Sequence, residues 1–344
     1  MAIMSSCVDK ITMLTVVNKD GSCRREITFK SDSTEMKGNK TEREHLANVL
    51  ADKNWQKQWQ MLKKTNGEDS TLRCKASRDF STIEEMKEQY PLQVKGRPIV
   101  KDCRLESHFK WFYTDYTFTE TYTDFSANFK VPASKYMEKD EADFWFTGSP
   151  NIYEGYSGSE MYYYMENISQ KCNKWLSANI IYDTVELMAD NYDSIQGITV
   201  SRAELLAKRD SLIDYALQNG LLFENTDIKR ETIFNNFFHT NCFVAVFNKD
   251  SHFKSLLDTM FEDRYGDLMT LEVGYLLTMP DAEVVDYGNG KIKEGAIAYR
   301  LTGLHLLSKD YTISATFRST NLWAYIVSVL IIIIAIGCWV MRRN

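Results

Sequence analysis

The sequence predicts an α+β fold, in which an antiparallel sheet is built from N- and C-terminal strands, a helical insertion separates them, and one transmembrane helix follows. Three observations support this: period-two alternation near both ends, helix-forming residues with capping signals between them, and an uncharged apolar run at 322–340. We predict an extracytoplasmic α+β domain at 8–321, with its insertion at about 157–264. Neither β part alone offers enough strands for a core, which favours one sheet over two independent domains.

The C-terminal apolar run is the strongest signal in the chain. It reads LWAYIVSVLIIIIAIGCWV, and no charged residue lies between Arg318 and Arg342. About 20 apolar residues cross a bilayer core of roughly 30 Å, so the run predicts a transmembrane helix at 322–340 with a cytoplasmic tail at 341–344. The alternative, a buried core helix, is disfavoured because no polar stripe interrupts the run.

Five residues at the two ends of this run are predicted to lie at the membrane interfaces: Trp323, Tyr325, Trp339, Arg342 and Arg343. Amphipathic rings favour the headgroup zones, and a terminal arginine pair favours the cytoplasmic side. The bulk of the chain is therefore expected outside the cytoplasm, with membrane lipid as its first partner.

Composition indicates a folded chain that does not bind nucleic acid. Hydrophobic residues make up 44% and aromatic residues 13% of the sequence, which is enough for a core, and the formal charge is −6. No run of lysine or arginine forms a basic stripe, so neither a nucleic-acid partner nor charge-driven docking on anionic lipid is expected.

The first seven residues resemble the end of a bacterial lipoprotein signal. Small residues precede Cys7 in the sequence Met4-Ser5-Ser6-Cys7, as they precede the cysteine that receives a lipid. We therefore predict that residues 1–7 are the remnant of such a signal and that Cys7 is lipidated. The alternative is a disordered cytosolic N-terminus.

Five further cysteines lie outside the apolar run: Cys23, Cys74, Cys103, Cys172 and Cys242. At most two disulfides could form among them, and buried free thiols are the simpler expectation. None has the CxxC or Cys/His spacing of a zinc site, and the five histidines are scattered singly, so no metal and no other cofactor is expected.

Local patterns predict the elements along the chain. Residues 11–17 and the alternation from Cys23 to Phe29 predict a hairpin around an Asn-Lys-Asp-Gly turn. Thr41 and Glu44 form a capping box, and Trp55, Trp59 and Leu62 continue at helical spacing. Ser201 with Glu204 starts another helix, which Gly220 closes.

Residues 104–122 carry the longest β signal and are predicted as one aromatic strand. Trp111 and Tyr113 share a face that could line an apolar ligand cavity, because these side chains bring large area and a polar group. With Trp59 and Phe118 they are our candidate ligand-binding residues. The alternative is ordinary packing of the sheet and of helices.

Four segments carry a resemblance to a known family: ITMLTVVNKDGSCRREITF, RDFSTIEEM, HFKWFYTDYTFTETY, and the closing stretch from MPDAEVVDYGNGKIKEGAIAYR to LTGLHLLSKDYTISATFRSTNLWAY. About half of the chain resembles LppM-like bacterial lipoproteins, and most closely the versions common in Bacteroidota. The resemblance implies a lipidated cysteine, an opening β-hairpin, one membrane helix and a role at the bacterial cell envelope, with the bulk of the chain in the periplasm. One proposal for the fold is that it holds a lipid or glycolipid between sheet and helices.

Three functions remain open at this point. The first is a non-catalytic envelope lipoprotein that binds a lipid or other apolar ligand or supports an envelope protein assembly, and the second is a purely structural or interaction subunit. The third is an unrecognised hydrolase. Gly155 to Ser159 is similar to a nucleophile elbow, but its second glycine comes one position early and no strand leads into it. No catalytic residue is therefore predicted.

Overall fold

The computed structural model describes residues 11–32, 46–62, 71–94, 96–223, 228–307 and 311–343. The chain divides into two compact units. One, the β unit, comprises the N-terminal part up to Thr123, residues 271–302 and the C-terminal part from Asp310. The other, the helical unit, comprises mainly residues 124–270 and 303–309. The predicted α+β class, with antiparallel sheets, a central helical block and one C-terminal apolar helix, is confirmed.

Thirteen strands are described in the β unit. They are β1 (Ile11–Val17), β2 (Cys23–Asp32), β3 (Gln56–Leu62), β4 (Thr71–Phe80), β5 (Gln93–Val94), β6 (Arg97–Pro98), β7 (Val100–Lys110), β8 (Tyr113–Tyr122), β9 (Glu272–Thr278), β10 (Glu283–Asp286), β11 (Lys291–Lys293), β12 (Ala296–Thr302) and β13 (Thr312–Thr320).

Two larger sheets are assembled from these strands. A seven-stranded sheet has the order β11-β12-β9-β1-β2-β4-β3, and a four-stranded sheet has the order β10-β13-β8-β7. Both sheets combine N- and C-terminal strands, and all neighbouring pairs are antiparallel except β1 with β9, which is parallel. Alternate residues of β1 and β13 are buried, so one face of each sheet forms the core.

The predicted opening hairpin is confirmed. Ile11 pairs with Phe29 and Val17 with Cys23. The Asn18 amide donates to the Ser22 carbonyl at 2.8 Å, and Gly21 has φ of +86°, a conformation that glycine adopts without a Cβ clash. The turn residues therefore set the register, which places Cys23 and Ile27 in the core.

Two predictions for the following segment have different outcomes. The helix predicted from the spacing of Trp55, Trp59 and Leu62 is wrong, because residues 56–62 form strand β3 at the edge of the larger sheet. The run Gln56-Lys57-Gln58-Trp59-Gln60 alternates equally well with a period of two, and pairing with β4 selects the strand. The capping box at Thr41 and Glu44 lies outside the described residues, while a short helix, α1 (Ala47–Ala51), follows it.

The single aromatic strand predicted at 104–122 is also wrong, since it is a tight hairpin of β7 and β8. Lys110 pairs with Tyr113, so Trp111 and Phe112 form the two-residue turn. Neither residue is among those with positive φ. The sequence offers no Gly, Asn or Pro at this turn, which is why its alternation looks continuous.

Helices of the β unit and of the helical unit are as follows. The β unit contains α1 and α2 (Ile83–Glu88), and the helical unit contains α3 (Lys139–Thr147), α4 (Gly158–Asp190), α5 (Arg202–Ala207), α6 (Arg209–Gln218), α7 (Arg230–Phe238), α8 (Phe243–Val246), α9 (His252–Phe261) and α10 (Asp267–Thr270). Residues 262–266 form a π-helical turn, and 126–128, 133–135, 192–194 and 303–307 form 3₁₀ turns.

Helix α4 organises the helical unit. It begins at the Ser157 cap with Glu160 as the reciprocal partner, and its second half is buried among the other helices. Buried Asn179 exchanges hydrogen bonds with the Val131 backbone at 2.8 and 3.0 Å. Ser201 caps α5 as predicted, but the single helix predicted from Ser201 to Gly220 is wrong, because Lys208 separates α5 from α6. Gly220 lies just beyond α6 with φ of +77°.

The five cysteines outside the apolar run form no disulfide in the described part of the chain. Cys23, Cys74, Cys103 and Cys172 are buried, and Cys242 is partly buried. Burial raises the pKa of the Cys23 thiol to about 11, since desolvation disfavours the thiolate. These side chains therefore behave as small core residues.

The chain's last described element is α11 (Leu322–Arg343). Among the residues that the structure describes, this helix is long and apolar enough to cross a membrane, with mean hydropathy 2.7. Only Ala324 in it is buried, so the alternative of a core helix does not hold. It begins after a single residue, Asn321, that follows β13.

Gly303 provides a test of the packing within the helical unit. A Cβ on Gly303 would lie 1.6 Å from the Leu268 carbonyl oxygen, so backbone must move. We expect Gly303→Ala to lower the free energy of unfolding by about 3 kcal/mol, as overpacking does in tight cores. Gly158→Ala is the control, because a Cβ there meets nothing within 4 Å. Thermal unfolding of both full-length variants in detergent measures this, and equal melting temperatures would contradict the close approach.

Candidate functional site

An exposed aromatic group forms the tip of the β7–β8 hairpin. We call Phe109, Trp111 and Phe112 the aromatic tip; their side chains are 60%, 44% and 41% exposed. Turn positions normally carry small or polar residues, because loops face water. Two large rings at a two-residue turn, with a third at Phe109 near the end of β7, therefore indicate a surface that meets something other than bulk water.

The aromatic tip packs on the first turns of α11. Phe109 stacks on Trp323 with ring centroids 6.1 Å apart and planes 7° apart, and Trp111 meets the same indole edge-on at 5.4 Å. Phe112 lies 4.7 Å from Tyr325. The hairpin thus contacts the two residues next to buried Ala324 at the start of the apolar helix.

One hydrogen bond carries this contact further along α11. The Trp111 indole Nε1 donates to the Ser328 hydroxyl at 2.9 Å. Ser328 lies six residues beyond Leu322, which corresponds to about 9 Å along a helix axis. The tip therefore reaches more than one full turn along the predicted membrane span.

Asn321 connects β13, α11 and the hairpin turn. Its side-chain Nδ2 donates to the carbonyls of Lys110 at 3.0 Å and Trp111 at 3.3 Å. Its backbone amide donates to the Phe112 carbonyl at 2.9 Å, and its Oδ1 accepts from the Thr114 hydroxyl at 3.2 Å. Three successive carbonyls at the turn are thereby satisfied within the protein.

Charged groups lie immediately behind the aromatic tip. Arg318 donates to both Asp115 carboxylate oxygens, at 2.7 and 3.0 Å, and Lys110 approaches the same carboxylate at 3.4 Å. The hydrogen bond from Arg318 lowers the pKa of Asp115. The Arg318 guanidinium also lies 3.9 Å from the centre of the Tyr113 ring. An aromatic surface is thus followed by a charged one.

A second polar cluster occupies the space between the two sheets. Arg25 on β2 and Glu120 on β8 form a fully buried ion pair. Tyr90 and Tyr122 donate to Glu120 Oε1 at 2.5 and 2.7 Å, while Tyr275 donates to Oε2 at 3.2 Å. Arg25 Nε also donates to the Thr15 hydroxyl at 3.2 Å. We call these residues the Glu120 cluster.

The electrostatics of the Glu120 cluster keep Arg25 charged and its tyrosines protonated. Burial alone lowers the pKa of Arg25, but the adjacent Glu120 carboxylate raises it well above its ordinary value. Burial and the same carboxylate raise the pKa of the tyrosines Tyr90 and Tyr122. The tyrosines stay protonated hydrogen-bond donors, so the cluster acts as a polar core that holds the two sheets in register.

The four candidate ligand-binding residues lie at three separate places in the β unit. Trp59 is half exposed on edge strand β3, where it packs edge-on against Phe29 at 6.0 Å. Trp111 and Tyr113 lie at the hairpin end, and Phe118 is fully buried between the sheets. The structure therefore does not bring the four around one cavity.

The other predicted site residues are found as follows. Trp323 and Tyr325 lie at the start of α11, and Trp339 lies near its end with the Arg343 guanidinium 5.1 Å from its ring centre. Arg342 and Arg343 occupy its last turn. Cys7 lies outside the described residues.

The segment from Gly155 to Ser159, which is similar to a nucleophile elbow in sequence, forms the N-terminal cap of α4. Ser157 caps α4 and accepts a hydrogen bond from the Glu160 amide at 3.4 Å. Glu160 accepts in turn from the Ser157 amide at 2.8 Å. Within the described parts of the chain, no group of three His, Cys, Asp or Glu side chains could hold a metal ion.

The helical unit carries an exposed aromatic cluster of its own, at the start of α4. We call it the tyrosine cluster: Tyr156, Met161, Tyr162 and Tyr163, all exposed. Tyr162 and Tyr163 are edge-on at 5.7 Å. Tyrosine and methionine are enriched in protein interfaces, where each buries much area at small entropic cost.

Sequence reasoning missed Asn321, Phe109 and Phe112 as functional residues, and it named Trp111 only as a candidate lining of a ligand cavity. Phe109 and Phe112 appeared as ordinary members of a strand, and Asn321 as a polar residue before the span. No turn residue marks the hairpin in the sequence, so the one available signal was the concentration of aromatic residues at 109–113.

Comparison with known proteins identifies no relative. No family model matches the chain, and neither the curated proteins nor the solved structures contain a match.

The Glu120 cluster gives a prediction on stability. Glu120→Gln leaves the Arg25 charge buried without a counterion, so we expect a loss of about 3–5 kcal/mol in unfolding free energy. Arg25→Met should cost less, because the three tyrosine hydroxyls still donate to Glu120. Arg300→Met is the control: its pair with Glu272 is half exposed, and such pairs contribute about 1 kcal/mol or less. Chemical denaturation in detergent measures the unfolding free energy of each variant. Equal losses in Glu120→Gln and Arg300→Met would contradict the account.

Asn321 gives a prediction on local order. Asn321→Ala removes three side-chain hydrogen bonds, so amides of residues 110–114 and 322–325 should exchange with deuterium about tenfold faster or more. Thr114→Val removes only one of these bonds and should have a smaller effect. Hydrogen exchange by mass spectrometry on the full chain measures both, and unchanged protection in Asn321→Ala would refute the role of Asn321.

Proposed function

We propose that this chain is a non-catalytic, single-pass membrane protein of the bacterial cell envelope. Helix α11 anchors it, the two units lie outside the cytoplasm, and the helical unit binds a protein partner in an envelope assembly. The chain would thus act as an interaction subunit that presents a binding surface at a fixed place on the membrane.

Several features support the anchoring part of this proposal. Helix α11 is apolar along its length, with Arg342 and Arg343 in its last turn, and arginines at a helix end favour the cytoplasmic side. The resemblance to LppM-like lipoproteins favours the same orientation and a lipid on Cys7 as a second anchor. Both anchors would then enter the membrane from the same face.

The observation that carries the interaction part is the tyrosine cluster. Tyr162 and Tyr163 are exposed next to each other on the first turns of a 33-residue helix whose second half is firmly buried. A rigid helix that presents adjacent aromatic side chains loses little entropy on binding, as interface anchors do.

Binding of a lipid or another apolar ligand is the weaker alternative on this geometry. The four residues predicted to line such a site are spread over three places, and the space between the sheets is occupied by the Glu120 cluster. The interaction function therefore takes precedence over ligand binding in this proposal.

Site-specific photocrosslinking in cells tests the interaction. A photoreactive phenylalanine analogue in place of Tyr163 should give a protein adduct of one defined mass, and Tyr162→Ser should reduce its yield at least fivefold. The same analogue in place of Gln218, an exposed residue of α6, is the control and should give no such adduct.

Two results would contradict the proposal. One is the absence of a defined adduct at Tyr163 in membranes that contain the full chain. The other is native mass spectrometry of the full chain from nanodiscs in which a single lipid stays bound at one-to-one ratio, because this would make the chain a lipid-binding protein.

A further inference from the structure

The aromatic tip is a second membrane contact, independent of any partner of the helical unit. We propose that Phe109, Trp111 and Phe112 insert into the headgroup and upper acyl zone of the bilayer around α11. The β unit then has two membrane contacts, the aromatic tip and α11, which together fix its orientation on the membrane surface. This inference rests on the proposed membrane span of α11.

Length sets the depth of the tip. Helix α11 has 22 residues, which at about 1.5 Å each make roughly 33 Å. A bilayer core is roughly 30 Å thick, so the helix has only a few ångströms to spare. Leu322 must therefore lie close to the membrane boundary. Trp111 is bonded to Ser328, about 9 Å further along, so its indole cannot remain in bulk water.

Hydrogen bonding at the turn suits this environment. Backbone carbonyls of an exposed turn usually bond to water, and in the bilayer an unsatisfied carbonyl costs several kcal/mol. Asn321 satisfies the carbonyls of Lys110 and Trp111, and its amide satisfies that of Phe112. The turn can thus enter a region of low polarity without leaving these groups unpaired.

Side-chain chemistry changes in the order that a membrane surface requires. The rings of the aromatic tip come first, and Trp111 has the mixed apolar and polar character of interfacial indoles. Lys110 lies between Phe109 and Trp111 in the sequence, and its long apolar stem lets its ammonium group reach water. The Arg318 and Asp115 pair lies behind it, which marks the aqueous side of the boundary.

The occupant is lipid because the tip is continuous with the surface of the predicted span. Trp323 and Tyr325, which the tip contacts, are themselves half exposed. The tip and the first turns of α11 therefore form one uninterrupted aromatic surface.

Fluorine NMR of the full chain in nanodiscs tests the inference. The tryptophans carry 5-fluorotryptophan, and single Trp→Phe variants assign the signals of Trp59, Trp111 and Trp339. We expect nitroxide lipids to broaden the Trp111 signal at least threefold more than an aqueous gadolinium chelate does. Trp59, which is 48% exposed on β3, should show the reverse.

The response of the Trp339 signal distinguishes a failure of the proposed membrane span from a failure of the proposed membrane contact of the aromatic tip. If Trp339 also responds to the aqueous agent and not to nitroxide lipid, α11 does not span the bilayer and the proposed function fails. If Trp339 responds to lipid but Trp111 responds to the aqueous agent, the span holds and this inference alone is overturned.

A matched pair of variants checks that lipid contact is the cause. Phe112→Asp introduces a charge into the aromatic tip and should shift Trp111 toward broadening by the aqueous agent. Ile292→Asp, at a residue 59% exposed on β11, introduces the same charge elsewhere in the β unit and should leave Trp111 unchanged. Equal behaviour of Trp111 in both variants would overturn the inference.

Discussion

The docking of the β7–β8 turn on the first turns of α11 is the contact on which this account of the molecule depends. Without it, the apolar helix would be a flexible tether, since a single residue between strand and helix fixes spacing but not direction. Asn321 makes the junction rigid by bonding to three carbonyls of the opposite turn. These hydrogen bonds therefore favour one direction of the helix relative to the sheets.

The Glu120 cluster supports that junction from inside the β unit. Glu120 and the turn belong to the same hairpin, and β8 pairs along its whole length with β13, the strand that leads into α11. A buried ion pair with three tyrosine donors contributes less to stability than an apolar core of equal size would, but it tolerates only one register of the two sheets. A slip of one residue would turn Glu120 away from Arg25, so the cluster specifies where the hairpin ends and hence where the aromatic tip lies.

Much of the fold follows from local pattern, and the exceptions have physical reasons. The opening hairpin, the α4 and α5 caps and the apolar helix were predictable because turn glycines, capping residues and uncharged length act locally. The helix predicted through Trp59 fails because Gln, Lys and Trp fit either period there, and pairing with β4 decides. The hairpin at Trp111 was not predictable from turn chemistry, since the two residues that form it are ones that turns usually avoid. Its aromatic turn becomes intelligible only beside Trp323 and Tyr325, more than 200 positions away.

The central claim is that the turn is docked on α11 in the membrane itself, and cysteine crosslinking tests it most directly. Phe112 and Tyr325 have ring centroids 4.7 Å apart, so cysteines at these two positions should be joined rapidly, as a disulfide or through a short thiol-to-thiol crosslinker, when native membranes are treated with oxidant or crosslinker. The pair Ile292→Cys with Tyr325→Cys serves as control and should not react. Rapid bond formation between positions 112 and 325 alone is the result the account predicts. Failure of that pair to react, in membranes where the chain is folded, would contradict it.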